Sequence, residues 1–191
     1  MLKVEYIVNS IFDSITWLLS ETESNQVWLV DCGDISPIIK IIGEKRIKGV
    51  LLTHAHYDHI YGLPDLLNYY PNCKIYTNSV GKESLADAKL NLSFYHERPV
   101  IVNGDYVTTC NEGHLIPLFE SVVAKVFETP GHHPSCLSYM VEDILFTGDA
   151  YIPGLKTVTY LPKGDKKQAN VSLERLLKLS QGKKVLCGHK T

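Results

Sequence analysis

Short runs of β-branched and aromatic residues, in which hydrophobic and polar positions tend to alternate, predict strands over residues 3–8, 14–20 and 26–31 at the start of the chain. Polar residues 21–25 separate the second run from the third and predict a hairpin turn. Similar runs predict further strands over residues 47–53, 74–77, 106–110, 114–117, 122–129, 137–141, 143–147 and 185–187. The pattern is typical of a protein that is rich in short strands.

Helical stretches are predicted over residues 37–43, 63–70, 79–90 and 170–180. Ser36 is a candidate N-cap for the first helix, and Gly43 is expected to end it. Pro64 falls in the first turn of the second helix, where proline is tolerated. Strands, βα units, strands again and a closing αβ unit follow one another along the chain. This order favours a layered α/β sandwich in a single domain over residues 1–191.

Composition and charge narrow the classes of function. The net charge is -2, and affinity for nucleic acid depends largely on neutralising phosphates, so no nucleic-acid partner is expected. The N-terminus lacks a signal-peptide pattern and no apolar run is long enough to span a membrane, so no membrane partner is expected either. The five cysteines are widely spaced and form no CxxC pair, which suits a reducing compartment. We expect a soluble, cytoplasmic protein with a small-molecule substrate.

The strongest chemical signal is a run of histidine and aspartate between the predicted strand 47–53 and the predicted helix 63–70. Residues 54–59 read His-Ala-His-Tyr-Asp-His. A loop at the end of a strand can turn His54 and His56 toward one point and Asp58 and His59 toward a second. Imidazole nitrogen and carboxylate oxygen are ligands of zinc, and catalytic zinc sites keep one position open for water. The run therefore predicts one metal site or a pair of sites.

Three more candidate ligands each follow a predicted strand. His132 comes after the turn-forming residues Pro130 and Gly131, and Asp149 and His189 lie just past the strands 143–147 and 185–187. Functional residues of α/β proteins gather at strand ends of this kind. Each of the three is weak evidence alone. Together with the run 54–59, they predict a single site that uses five of the eight histidines.

The order of these residues resembles the metallo-β-lactamase superfamily. The HxHxDH run of residues 54–59 is followed by His132, Asp149 and His189, and the similarity extends from about Ser14 to the last of them. Shorter landmarks agree with the resemblance, namely Val30-Asp31-Cys32-Gly33, Asn103-Gly104-Asp105 and Thr129-Pro130-Gly131-His132. Within the superfamily, the pattern is most similar to that of the glyoxalase II-like hydrolases.

The resemblance implies a four-layer αβ/βα sandwich with a metal centre at one edge. Two zinc ions are expected, although iron or manganese would also suit imidazole and carboxylate ligands. The ligands implied are His54, His56 and His132 for the first ion, Asp58, His59 and His189 for the second, and Asp149 as a bridge. A metal-bound hydroxide would then hydrolyse a small ester, thioester or lactone. Asp58 is the expected catalytic residue, orienting the nucleophile or passing a proton while it remains a ligand.

The sequence also departs from the family pattern. It shows no counterpart of the C-terminal helical domain with which glyoxalase II binds its glutathione thioester, so that substrate is not expected. Flavin-partnered diiron members carry a glutamate where His56 stands, and zinc-type antibiotic-hydrolysing members generally lack the aspartate found here at Asp149, so neither activity is expected. Because His189 lies two residues from the end of the sequence, we expect it to be weakly held.

Residues beside the predicted ligands have less defined roles. Tyr151, Tyr160 and Lys163 follow the bridging aspartate, in the segment where relatives contact substrate, and are candidate substrate contacts. His133 is expected to face solvent. Asp31 is expected either to support a ligand histidine or to cap the next turn.

Other functions stay open at this point. A persulfide dioxygenase would share these histidine and aspartate positions but would hold one iron, in a site of two histidines and one aspartate. A phosphodiesterase would need a basic surface, and a non-catalytic metal-binding relative would keep the fold without turnover. Metal identity and oxygen uptake would separate the dioxygenase from a hydrolase.

Overall fold

The computed structural model describes residues 1–190, which contain eleven strands, five α-helices and two single-turn 3₁₀ helices (Ser93–Tyr95 and Gly104–Tyr106). The strands are β1 (Leu2–Val8), β2 (Ile15–Glu21), β3 (Gln26–Val30), β4 (Arg46–Leu51), β5 (Lys74–Thr77), β6 (Val107–Thr109), β7 (Leu115–Pro117), β8 (Val123–Glu128), β9 (Leu137–Val141), β10 (Ile144–Gly148) and β11 (Lys184–Cys187). The helices are α1 (Ile35–Ile42), α2 (Tyr57–Ile60), α3 (Leu63–Tyr69), α4 (Ser79–Leu85) and α5 (Lys166–Leu179). Each predicted strand overlaps one of the observed strands.

The strands form two mixed sheets. The first has the order β1-β2-β3-β4-β5-β6, antiparallel as far as β3 and parallel from β3 to β6. The second has the order β11-β10-β9-β8-β7, antiparallel except for the parallel pair β10 and β11. Parallel neighbours need a crossover connection, which helices supply here: α1 joins β3 to β4, α2 and α3 join β4 to β5, α4 lies between β5 and β6, and α5 joins β10 to β11.

The central strands of the first sheet are buried on both faces. On one face, Leu29 of β3 and Val50 of β4 pack in a cluster with Ile38 of α1 and Leu66 of α3. All four side chains are completely excluded from solvent. Strands covered on both faces have nearly continuous hydrophobic sequences, as β3 does after Gln26 and β4 does in its last two residues.

The other face of the first sheet packs against the second sheet. Leu51, the next residue along β4, contributes to a cluster with Tyr139 of β9 and Phe146 of β10. On the far side of the second sheet, Leu145 packs with Leu176 of α5. The layers therefore run helix, sheet, sheet, helix, and the predicted four-layer αβ/βα sandwich is confirmed.

Three of the predicted helices begin or end at other residues than predicted. The helix predicted over 170–180 begins earlier, at Lys166, because the Asp165 side chain accepts hydrogen bonds from the backbone N–H groups of the first turn. The helix predicted over 79–90 ends at Leu85. Helix α1 begins at Ile35 rather than after Ser36, and it ends before Gly43 as predicted. Within residues 1–190, no helix combines the length and hydrophobicity needed to cross a bilayer.

Candidate metal centre

The predicted ligands meet at one edge of the sandwich, where several strands end. His54 and His56 lie in the loop after β4, and Asp58 and His59 lie in α2, the single helical turn that follows it. His132 follows β8, Asp149 directly follows β10, and His189 follows β11. The loop expected over residues 54–59 is therefore a loop and a short helix. The carboxyl ends of these strands are the positions at which α/β proteins gather functional residues.

Glycines permit the close approach of these strand ends. Gly148, which precedes Asp149, has a φ of +50°, and an added Cβ would collide with the side chain of Thr53. An added Cβ at Gly188 would collide with the Asp149 carboxylate. A side chain at Gly148 would therefore displace Thr53, and one at Gly188 would displace Asp149.

Three sets of side chains each bring one candidate ligand atom per residue within 4.8 Å of one another. His54, His56 and His132 form the first set, which we call the first group. Asp58, His59 and His189 form another, which we call the second group. The third set consists of His54, His59 and Asp149 and so shares a histidine with each group.

The first group consists only of buried imidazoles. His132 Nε2 lies 2.9 Å from His56 Nδ1. The Nε2 atom of His54 is buried without any hydrogen-bond partner. Buried polar atoms are nearly always paired, so buried nitrogen atoms that face each other or lack a partner are typical of a site that binds an ion.

The second group combines two imidazoles with a carboxylate. Asp58 Oδ2 lies 3.3 Å from the Nε2 atoms of both His59 and His189, and these two nitrogens are 3.3 Å apart. Asp149 reaches this group and the first. Its Oδ2 lies 3.2 Å from His189 Nε2 and 3.7 Å from His132 Nε2, and its Oδ1 is buried with no hydrogen-bond partner.

Hydrogen bonds fix the orientation of three of the histidines. In each, Nδ1 faces a hydrogen-bond acceptor, which leaves the Nε2 lone pair directed at the cluster. The pairs are His59 to Asp31 Oδ2 (2.8 Å), His132 to the Val158 carbonyl (2.8 Å) and His189 to the Phe12 carbonyl (2.9 Å).

Asp31 contacts the candidate ligand His59, which favours the first of the two roles that the sequence left open. Its carboxylate accepts hydrogen bonds from His59 Nδ1, from the Thr53 backbone N–H and from the Thr53 hydroxyl, the last two at 2.7 Å. It is almost fully buried and has a φ of +60°. Asp31 therefore holds both the end of β4 and the His59 ring.

Burial and neighbouring imidazoles lower the pKa values of the first group in the absence of metal. They hold the pKa of His54 well below its usual value and lower the pKa of His56 to about 3. Burial also lowers the pKa of His132. These imidazoles are neutral at pH 7, which is the state that binds metal ions.

The electrostatics of the second group are the reverse. Burial opposes the charge on His189, but hydrogen bonds to Asp149 and Asp58 raise its pKa to about 10. The pKa of His59 is likewise raised by nearby carboxylates against the effect of burial. The pKa of Asp58 is lowered by His59 and His189 although burial opposes its ionisation. Without metal, the second group is thus a cluster of ion pairs, and a divalent cation would replace the protons on its imidazoles.

The donor set fits divalent metal ions. Buried imidazole nitrogens, two ionised carboxylates and acceptors behind the imidazoles are the constituents of zinc sites and similar transition-metal sites. The family model described as the metallo-beta-lactamase superfamily matches residues 14–189. The chain belongs to the metallo-β-lactamase superfamily.

Individual relatives agree with this assignment. The hydroxyacylglutathione hydrolase of Psychromonas ingrahamii is 28% identical over 180 residues, which cover 93% of this chain and 61% of that protein. The chain thus spans about three fifths of the length of the curated relatives it matches. The crystal structure of the BLEG-1 B3 metallo-beta-lactamase is 25% identical with a TM-score of 0.87, covering 99% of this chain and 92% of that one. A metallo-beta-lactamase superfamily protein from Sulfolobus tokodaii is 25% identical with a TM-score of 0.77, covering 99% and 80%.

A cavity of about 640 Å³ opens over five of the candidate ligands and is the natural place for a substrate. Of the three predicted substrate contacts, Tyr160 lines it. Tyr151 instead packs against the hydrophobic cluster under α5, and Lys163 is exposed just beyond the cavity residue Pro162. Residues that the sequence did not connect with the site also line the cavity, namely Phe12, Leu92, Tyr95 and His96.

Two further expectations are wrong. His133 does not face solvent: it is 1% exposed, its Nδ1 accepts a hydrogen bond from the Ser135 hydroxyl at 2.7 Å, and its ring centroid lies 4.9 Å from that of His56. His189 is not weakly held. It forms a β-bridge with Ser14, and the carbonyl of the preceding Gly188 accepts a 2.7 Å hydrogen bond from the Ile15 N–H. Contacts with the start of β2 thus fix a residue close to the end of the sequence.

Proposed function

We propose that the chain is a metal-dependent hydrolase of a small ester, thioester or lactone and that it binds two zinc ions. The observation that carries the proposal is the position of Asp149, whose carboxylate lies within 4 Å of imidazoles from both ligand groups. A carboxylate placed in this way can serve two ions at once, and two neighbouring ions are the basis of two-metal hydrolytic catalysis. The relatives named hydroxyacylglutathione hydrolase support a thioester as one substrate class.

The residues of the two groups would hold the metal. His54, His56 and His132 would bind one ion, Asp58, His59 and His189 the other, and Asp149 both. Bound divalent zinc would supply Lewis acidity, which polarises a carbonyl oxygen and makes water acidic enough to lose a proton near neutral pH.

Asp58 is the protein group best placed to move a proton. It belongs to the second group and also lines the cavity, and its pKa is lowered, so its carboxylate is ionised at neutral pH. We assign its carboxylate the role of orienting the attacking water and accepting a proton from it. Asp31, in contrast, is turned away from the cavity toward Thr53 and His59, and its part is to orient His59.

A substrate panel tests the proposal. The chain, purified without chelator, is assayed with a thioester, a lactone and a cephalosporin, the last because a structural neighbour is named a B3 metallo-beta-lactamase. We expect hydrolysis of the thioester or the lactone, loss of that activity on chelation, and recovery with zinc. A zinc-loaded chain that hydrolyses neither would contradict the proposal. One bound iron with oxygen uptake on a persulfide would replace it with the dioxygenase.

Asp58→Asn tests the proton transfer separately. Because general acid–base catalysis contributes about 10²–10⁴-fold, we expect turnover to fall by at least about 100-fold while two ions stay bound. Metal content per chain is measured alongside turnover. An Asn variant with two ions and full turnover would rule out the proposed role of Asp58.

A further inference from the structure

The cavity over the candidate metal centre has two chemically different parts. Its floor consists of ligand side chains from both groups. Its remaining surface is mostly apolar, and we call this surface the apolar wall, comprising Phe12, Leu92, Tyr95, Val158, Tyr160 and Leu161. Among residues 1–190, no lysine or arginine lines the cavity.

The apolar wall is attached directly to ligand histidines at two points. The Val158 carbonyl accepts the hydrogen bond from His132, and the Phe12 carbonyl accepts the one from His189. Beside the wall, in the lining of the same cavity, the ring of Tyr57, the residue after His56, stacks on His96 with centroids 3.8 Å apart and an interplanar angle of 17°. The positions of these apolar surfaces relative to the reacting bond are therefore fixed by the ligands themselves.

Three aromatic side chains of the apolar wall are uncovered. Phe12, Tyr95 and Tyr160 are 67%, 75% and 85% exposed, although each lines the same cavity. Exposed apolar surface that is concentrated in one concave region marks a binding site. Aromatic rings favour other aromatic rings, which stack or meet them edge to face.

We propose that the substrate carries an uncharged aromatic acyl group, which lies against Tyr95 and Tyr160 while its ester or thioester carbonyl lies over the ligand cluster. This inference rests on the proposed hydrolase function and specifies its substrate. The volume of about 640 Å³ falls within the range of cavities that hold small organic ligands. Charge decides against an anionic group in this position. A carboxylate on the part of the acyl group that lies against Tyr95 and Tyr160 would lie among apolar side chains and would meet no lysine or arginine of the lining.

Three thioesters with the same leaving group test the proposal. Acetyl, phenylacetyl and 4-carboxyphenylacetyl thioesters of N-acetylcysteamine are compared as kcat/KM with the zinc-loaded chain, each divided by its rate of alkaline hydrolysis. We expect phenylacetyl to exceed acetyl by at least about tenfold and 4-carboxyphenylacetyl to fall back by about tenfold. Equal values for the three, or a preference for the carboxylate, would overturn the aromatic acyl group and leave the hydrolase standing.

Two substitutions test whether Tyr95 and Tyr160 cause the preference for the phenylacetyl over the acetyl thioester. Tyr95→Ala and Tyr160→Ala remove exposed rings and so are expected to leave the fold intact. Each is expected to lower the phenylacetyl-to-acetyl ratio by about threefold to tenfold. The matched control is Tyr69→Ala, which removes another largely exposed ring, one that lines a separate cavity with Arg46 and Lys48. An unchanged ratio in both wall variants, or an equal drop in the control, would contradict the proposal.

A binding experiment keeps the substrate proposal separate from the proposed function. Saturation-transfer NMR of the zinc-loaded chain with 2-phenylethanol, which has no hydrolysable bond, is expected to saturate the ring protons of the ligand. The signal is expected to weaken in Tyr95→Ala and Tyr160→Ala and to persist in Tyr69→Ala. If no thioester is hydrolysed but the NMR signals follow this pattern, the proposed hydrolase function is wrong and the proposed aromatic binding site is supported. If 2-phenylethanol gives no signal, the aromatic site fails whatever the activity.

Discussion

The first and second ligand groups differ in how the protein holds them. His54, His56 and His132 are at most 4% exposed and are neutral imidazoles packed into the edge of the sandwich. The second group is more open, with the His189 side chain 20% exposed, and is held by charge. The two groups could bind the same kind of ion. Burial holds the first group ready for the ion, whereas the second group is held by ion pairs that a bound ion would replace.

The difference shows two ways of preparing a metal site. In the first group, burial removes competition from protons, because a desolvated imidazole stays neutral. In the second, carboxylates attract protons and cations alike, and Asp31 holds the His59 ring in place from behind. Asp149 contacts imidazoles of both groups, and the rings of His54 and His59 also meet, with centroids 4.2 Å apart.

Asp149→Asn is expected to have the largest effect, because it removes charge from both groups at once. Removing a hydrogen-bond partner behind a ligand already costs about 10–100-fold in metal affinity or activity, so loss of the shared ligand is expected to lower turnover by at least about 100-fold. Metal content and turnover are measured together, with Asp143→Asn, an exposed turn residue, as the control. If the Asp149 variant bound two ions and turned over normally, the two groups would not depend on this carboxylate.

Asp31→Asn separates the groups. The substitution keeps the shape of the side chain but removes the charge that accepts the hydrogen bond from His59 Nδ1. We expect the affinity for one of the two ions to fall about 10–100-fold and the affinity for the other to change little. Zinc titration against a competing chelator measures both constants. Equal weakening of both sites would show that Asp31 acts on the whole edge rather than on the second group.

The two groups are also expected to differ in proton release. At pH 7 the metal-free second group holds protons, because the pKa of His59 is raised and that of His189 is raised to about 10, whereas the pKa of His56 is lowered to about 3. Zinc entering the second group must therefore displace protons, and its affinity rises with pH toward about 10. Zinc that enters the first group displaces few protons, because its imidazoles are already neutral.

Titration calorimetry at pH 7 in buffers of different ionisation enthalpy measures this difference. We expect one binding step to release protons and the other to release almost none. In the metal-free chain, the raised pKa of His189 also contributes stability that is fully present below about pH 6.5 and lost as pH rises through about 10. Equal proton release in the two steps would remove the electrostatic distinction between the groups.

Ser135→Ala is expected to have the smallest effect on the metal centre. The Ser135 hydroxyl accepts a 3.2 Å hydrogen bond from the Ala55 N–H and donates to His133 Nδ1, behind the first group. Its removal leaves buried polar groups unpaired, which costs about 1–3 kcal/mol of unfolding free energy. Urea unfolding measures the loss, and Ser84→Ala, whose buried hydroxyl has no partner, is the control with little expected change. A loss of stability no larger than in the control would show that this contact does not support the loop.

The positions of the candidate ligands could be predicted because four of them lie within six residues of sequence and the other three follow predicted strands. Residues 54–59 lie together in sequence, and the remaining candidates each follow a strand that the hydrophobic pattern identified. The layered fold could be predicted for the same reason, since alternation and helical spacing are local signals. The beginning of α5 could not, because Lys166, Lys167 and Gln168 add no hydrophobic residue to the pattern.

The cavity wall depended on contacts that are distant in sequence. His96 belongs to the cavity because its ring stacks on Tyr57, and Phe12 because its carbonyl meets His189. No local pattern relates these pairs. The burial of His133 likewise depends on Ser135 and on the packing of its turn against His56, which sequence spacing does not reveal.

The central claim is that the seven residues bind two metal ions. The most direct measurement is metal content per chain, determined by native mass spectrometry on protein purified without chelator and again after reconstitution with zinc. We predict two zinc ions per chain after reconstitution, with binding of both diminished in Asp149→Asn. A chain that binds no metal even after reconstitution would contradict the account and leave the cluster as a set of ion pairs.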